Sequence, residues 1–178
     1  MKASFDFLPK KFSFKPGGPA DLELRRLEPA DVPQLVALCR EHAAFEQAAF
    51  AENDQAARLA VQLFGPRPAA YCLVVAQAHV LVGFATYMPE FSTWDAAYYL
   101  HLDCLFLRPE VRGSGVGRRV MEAVAAETQR LGCAQLQWQT PEFNAPAIAF
   151  YQRLGARPKN KLRFYVAAEQ VLAVQAAV

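Results

Sequence analysis

Apolar and polar positions along this chain change period several times, and each change predicts an element. Leu22-Glu23-Leu24-Arg25-Arg26-Leu27 alternates with a period of two, as a half-buried strand does. After Pro29-Ala30-Asp31, residues Val32, Leu35, Val36, Leu38 and Cys39 recur at helical spacing, so a helix opens there with proline in its first turn. A second helical stretch spans 53–64 and stops at Gly65-Pro66. The runs AYCLVVA and HVLVGFATYM, rich in valine and aromatics and split by a short polar break, predict an antiparallel pair, and YYLHLDCLFL predicts a third long strand. From Gly115 to Leu131, residues Val116, Val120, Met121, Val124 and Leu131 share one side of a helix that Gly132 ends. AQLQWQT alternates strictly, with Leu136 and Trp138 on one face and Gln135, Gln137 and Gln139 on the other. Asn144 is a good N-cap, Pro146 fits a first turn, Ile148, Tyr151 and Leu154 share a face, and Gly155 supplies a stop. A last strand at 162–166 is expected to close the domain.

This order predicts an α/β (α+β) fold: a central mixed sheet flanked by helices, with one parallel βαβ unit. Residues 1–20 mix aromatics with Lys10, Lys11 and Lys15, end in Pro16-Gly17-Gly18-Pro19 and read as an extension, leaving 21–178 as a single domain. Hydrophobic residues make up 53% of the chain and charged residues 20%, which excludes disorder and leaves apolar surface for a subunit interface. A net charge of +2 without a long basic run argues against nucleic acid as a partner. Cys39, Cys72, Cys104 and Cys133 form no CxxC pair and have no histidine at zinc spacing, so buried free thiols and no metal are expected. The N-terminus lacks the apolar core of a signal peptide and no membrane-length apolar stretch occurs, so the expected location is the cytoplasm, without a membrane partner.

The candidate chemistry centres on PEVRGSGVGRR, 109–119, between the third long strand and the following helix. Glycines there let backbone N–H groups approach an anion, and the helix start adds partial positive charge. Arg118 and Arg119 sit in the first turn, where the macrodipole disfavours cations, and Arg108 and Arg112 precede it; an anionic ligand relieves that conflict. A Walker loop is excluded because the lysine and hydroxyl are missing, and a dinucleotide loop because the glycines stand well past the strand.

Arg-x-x-Gly-x-Gly over Arg112, Gly113, Ser114, Gly115, Val116 and Gly117, continued by Arg118, resembles the acyl-CoA loop of the GCN5-related N-acetyltransferase superfamily. FNAPAIAFYQRLGA matches the later segment of that superfamily, an asparagine followed seven residues on by a tyrosine. From Leu24 to about Val166 the chain is similar to the spermidine/spermine (diamine) branch, through RRLEPAD, Phe45-Glu46, VGFATY and LHLD. The resemblance implies the acyl-CoA N-acyltransferase fold, acetyl-CoA as donor, a small primary amine as acceptor, a homodimer and no metal. It further implies that the backbone of Leu105, Phe106 and Leu107 meets the acetyl group and pantetheine, and that Asn144 touches the cofactor. Tyr151 matches the general acid of the superfamily, and Phe45, Glu46 and Asp103 match positions that bind the amine or relay its proton.

By themselves Phe150 and Tyr151 read as core aromatics, Glu46 as a solvated helix-end charge, and Asp103 as a strand-end residue that reaches solvent. Asp103 inside an apolar run is nonetheless costly to bury unpaired. Departures from the diamine pattern stand at Cys104, where a second carboxylate often follows the first, and around Lys161. They favour an acceptor with fewer positive charges, such as an amino-acid side-chain amine. Open alternatives are an aminoglycoside or protein N-terminus as acceptor, or an acyl-CoA sensor without turnover.

Overall fold

The computed structural model describes residues 12–13, 22–51, 53–167 and 170. Six strands form one sheet in sequence order: β1 (Phe12–Ser13), β2 (Leu22–Arg26), β3 (Tyr71–Gln77), β4 (Val80–Ser92), β5 (Ala97–Leu107) and β6 (Leu136–Trp138). Neighbours are antiparallel except β5 and β6, which are parallel and are joined through α3 (Val116–Arg130). The mixed sheet and its βαβ unit therefore match the reading of the periodicity. Two residues of the N-terminal stretch pair with β2; the rest of 1–20 lies outside the described residues.

The helix α1 (Val32–Phe45) starts where Asp31 is held in place: its carboxylate takes Arg25 at 2.5 and 2.9 Å and accepts from the Glu28 N–H at 2.8 Å. The hydrogen bond from Arg25 holds the Asp31 carboxyl below its usual range against the opposing effect of burial. Leu35 and Leu38 of α1 pack with Cys72, Val74, Leu81, Phe84 and Phe106 on one face of the sheet. Helix α2 (Gln55–Phe64) adds Leu59 and Leu63 to the same layer without burying any residue fully. On the opposite face α3 buries Val116, Val120, Met121 and Val124. Gly83 is required between β4 and β5, since a Cβ there would lie 2.4 Å from Leu107 Cδ2 and 2.8 Å from the Phe106 carbonyl oxygen.

The chain divides into two compact units, Met1–Pro141 and Glu142–Val178. One expectation needs correction. Leu162 to Val166 forms no strand: the segment has no ladder, and Leu162, Phe164 and Tyr165 are exposed. Their β-propensity expresses a fit to a half-buried pleated surface, and without a hydrogen-bonded neighbour it produces no strand. The second unit contains one helix, α4 (Ala145–Arg153), capped as expected by Asn144, whose Oδ1 accepts from the Ala147 N–H at 3.3 Å.

Candidate active site

A β-bulge sets the geometry of β5. Thr86 of β4 faces Cys104 and Tyr87 faces Leu102, which leaves Asp103 as the extra residue. A bulge re-aims its side chain, and Asp103 is exposed instead of buried in the apolar run that surrounds it in sequence. The expected burial cost does not arise. Its carboxylate accepts from Thr86 Oγ1 at 3.4 Å and from Cys104 Sγ at 3.6 Å. Burial, reinforced by the Asp103 charge, pushes the thiols of Cys39 and Cys104 up to about 11 and about 12. Asp103 thus lies near Cys39 of α1.

Past the bulge, β5 loses one neighbour. Among the described residues the parallel ladder to β6 covers only Leu100, His101 and Leu102, and no strand pairs with the edge from Asp103 to Leu107 on that side. The Arg108 N–H donates across to the Val82 carbonyl at 2.8 Å. Antiparallel alternation then directs the main-chain groups of Phe106 toward β4 and those of Leu105 and Leu107 toward the open edge. Arg112 Nε occupies the Leu107 carbonyl at 2.8 Å.

The glycine loop follows a short 3-10 turn, Pro109–Val111, anchored by buried Val111. Gly113 and Gly115 have φ of 76° and 87°, and a Cβ at either would meet nothing within 4 Å. Gly115 is the N-cap of α3, which has no side-chain cap and no acid in its first turn. The first intrahelical bond runs from the Arg119 N–H to the Gly115 carbonyl at 3.3 Å, and the amides of Val116, Gly117 and Arg118 precede it. Ser114 Oγ donates to the Val111 carbonyl at 2.7 Å and closes the turn. Unpaired amides, glycine conformations and open space fit an anion of phosphate type.

The arginines divide. Arg118 is exposed on the first turn of α3. Arg112 stands over the rings of Phe45 and Phe106, at 4.9 and 5.7 Å from their centroids. Arg108 is committed to Glu41 of α1 through two bonds of 2.6 and 2.9 Å, which removes it from the set of free phosphate cations. Sequence spacing gave no sign of that pair, because its partners lie far apart in the chain.

Phe45 and Glu46 end α1. Glu46 is its C-cap residue and lies 3.2 Å from His42 Nε2, while the His42 ring stacks on Phe106 at 5.3 Å. The first unit therefore gathers Phe45, Phe106 and Arg112 into one cluster, with Glu46 attached through His42. In the second unit Asn144 and Tyr151 bracket α4 about two turns apart, and Tyr151 is half-buried with its ring 5.2 Å from that of Phe150. Not foreseen from sequence is a cleft of about 350 Å³ between α1 and α2, lined by Cys39, Gln55, Arg58, Leu59 and Gln62. Among the described residues no group of three or more His, Cys, Asp or Glu is arranged to hold a metal ion, and no helix is long and apolar enough to cross a membrane.

Comparisons with known proteins bear on the fold and the family. Thialysine N-epsilon-acetyltransferase of Sus scrofa is 27% identical over 146 residues, covering 78% of this chain and 85% of its own length. An integron cassette protein from the mobile metagenome of V. cholerae superposes with a TM-score of 0.69 at 26% identity, over 86% of this chain and 98% of that one. The aminoglycoside N-acetyltransferase AAC(6')-Iy, solved with CoA, gives 0.68 at 18% identity over 83% and 95% of the two chains and shares the fold. The Acetyltransferase (GNAT) family profile matches residues 34–156, so the glycine loop, the bulged strand and the Asn144 helix all fall inside it, and the chain belongs to that family.

Proposed function

We propose that the protein transfers acetyl from acetyl-CoA to the primary amine of a small molecule, an amino-acid side-chain amine or a diamine. The observation that carries this reading is the open edge of β5 beside the glycine loop, with Asp103 at the bulge between the ladder and that edge. Acetyl-CoA supplies the thioester; the chain supplies contacts and proton positions. The amides from Gly113 to Arg118 suit the pyrophosphate, and the outward N–H of Leu105 or Leu107 suits the acetyl carbonyl or pantetheine amides. Asp103 and Glu46 attract the protonated acceptor and, directly or through water, take the proton it must lose before its nitrogen attacks. Tyr151 is the proton donor to the departing thiolate, and Asn144 a cofactor contact beyond its capping role. The similarity to a thialysine N-epsilon-acetyltransferase supports an amino-acid acceptor.

The loop assignment has its own test. At φ 87° a β-branched residue is strained, and its Cβ would enter the space the phosphates require. Gly115→Val is expected to weaken CoA binding at least roughly tenfold by calorimetry, as a lost set of charge-assisted contacts does. Unchanged affinity refutes the loop assignment.

Function itself is tested by mixing purified protein with acetyl-CoA and a panel of amines and measuring thiol release. Amino acids with side-chain amines and diamines are expected to turn over, and anionic acceptors poorly. Asp103→Asn is expected to lower kcat/KM roughly tenfold or more through lost general-base assistance. Tight CoA binding without turnover on any amine would instead support a sensor. The same reading takes the protein as a cytoplasmic homodimer with neither membrane nor nucleic acid as partner. It is supported by four free cysteines and by exposed Phe91, Trp94 and Tyr98 near the β4–β5 turn.

A further inference from the structure

The cleft between α1 and α2 carries chemistry that the acetyl-transfer steps do not use. Its lining combines one cation, Arg58, two amides, Gln55 and Gln62, and the apolar side of Cys39 and Leu59. Among the described residues no carboxylate lines it. Arg58 is exposed, with Nη2 donating to the Asn53 carbonyl, an acceptor that leaves its positive charge uncancelled. Gln55 Oε1 is buried without a hydrogen-bond partner. Cys39 connects this cleft to the bulge, since it lines the cleft and its thiol is raised in part by the Asp103 charge. A negative pole at Asp103 and a positive pole at Arg58 are therefore held on α1 and its neighbours in one compact unit.

A molecule with an amine at one end and a carboxylate at the other complements those two poles. A plain diamine would place its second cation against Arg58. We propose that the α1–α2 cleft is a subsite for the α-amino-acid end of the acceptor, with Arg58 binding its α-carboxylate, while the side-chain amine is directed to Asp103. This rests on the proposed amine acetylation and makes Arg58 a specificity residue for it.

The experiment compares L-lysine, L-lysine methyl ester and 1,5-diaminopentane as acceptors for the wild type, Arg58→Ala and Arg58→Lys. Arg58→Ala is expected to lower kcat/KM for L-lysine roughly tenfold or more, mainly through KM, as loss of a charge-assisted contact does, and to cause no loss with 1,5-diaminopentane, whose second cation then no longer meets Arg58. The methyl ester should lose as much with the wild type and nothing further with Arg58→Ala. Arg58→Lys should restore part of the lysine preference. Equal losses on lysine and diaminopentane, or no loss on lysine, overturn the subsite. Calorimetric titration of the same three proteins with L-lysine separates the two readings if no acceptor turns over. Binding weakened roughly tenfold by Arg58→Ala sustains the subsite although the acetylation reading fails, and wild type that binds no lysine overturns it.

Discussion

Tyr151→Phe is expected to lower kcat roughly 10²- to 10³-fold, the span general-acid assistance commonly supplies, while CoA affinity stays within about twofold. Attack of a neutral amine on the thioester forms the C–N bond and breaks the C–S bond, leaving a thiolate that must be protonated or stabilised as it departs. A phenol suits this because its ordinary pKa of about 10 lies above that of a thiol near 8.5, so it stays protonated until negative charge develops on sulfur. The substitution removes only the hydroxyl. Its ring keeps the packing with Phe150, and the α4 cap at Asn144 is untouched, so loss of rate without loss of fold is the expected signature. Single-turnover kinetics and CoA titration together check it. A fall in kcat smaller than tenfold removes Tyr151 from the acid role and returns it to the helix packing that its position alone suggests.

The strands and helices of the first unit were legible because their periods are long and uninterrupted. LELRR, the two valine-rich runs and YYLHLDCLFL each became a strand close to its expected bounds. The segment 162–166 was not, since propensity cannot report whether a partner strand exists. Within the site, the glycine loop could be located because the left-handed positions of Gly113 and Gly115 are a demand that sequence displays directly. Asp103 was found for a partly different reason. It stood out as a charge in an apolar run, but the bulge that makes it tolerable depends on the register with β4, which no single-strand pattern contains. Arg108 illustrates the opposite error: counted with the phosphate cations, it is spent on Glu41, a pairing that only the packing of α1 against β5 creates. Arg58 and Gln55 carried no local signal at all, since an exposed arginine on an amphipathic helix is ordinary until a cleft forms beside it.

The same helix that begins at the glycine loop ends in a buried charge cluster, and disrupting it is the largest stability effect expected. Glu127 is fully buried, although it lies on the stripe of Val116, Val120 and Val124; that acid at an apolar position was the overlooked sign of a polar partner. Arg130 meets both of its oxygens, at 2.9 and 2.8 Å, Tyr87 of β4 donates to Oε2 at 3.1 Å, and Arg26 of β2 stands 3.7 Å from Oε1. Burial, with the nearby Glu127 charge, holds the Tyr87 phenol protonated far above its usual range, so it serves only as donor. Glu127→Ala leaves Arg130 and Arg26 without a counter-charge and opens a void under the sheet. Breaking one side of a buried pair costs about 3–5 kcal/mol. For a chain of this length that corresponds to a fall in Tm of roughly 6–20 °C by calorimetry. Replacing the group by apolar residues of similar volume, Tyr87→Phe, Glu127→Leu and Arg130→Met together, is expected to recover most of the loss, because the removed partners no longer need solvation. Glu127→Ala with a Tm within about 2 °C of wild type would refute the cluster as a source of stability. Since α3 carries the loop amides at its other end, the variant should also weaken CoA binding before it unfolds, and rescue by the triple replacement should restore both together.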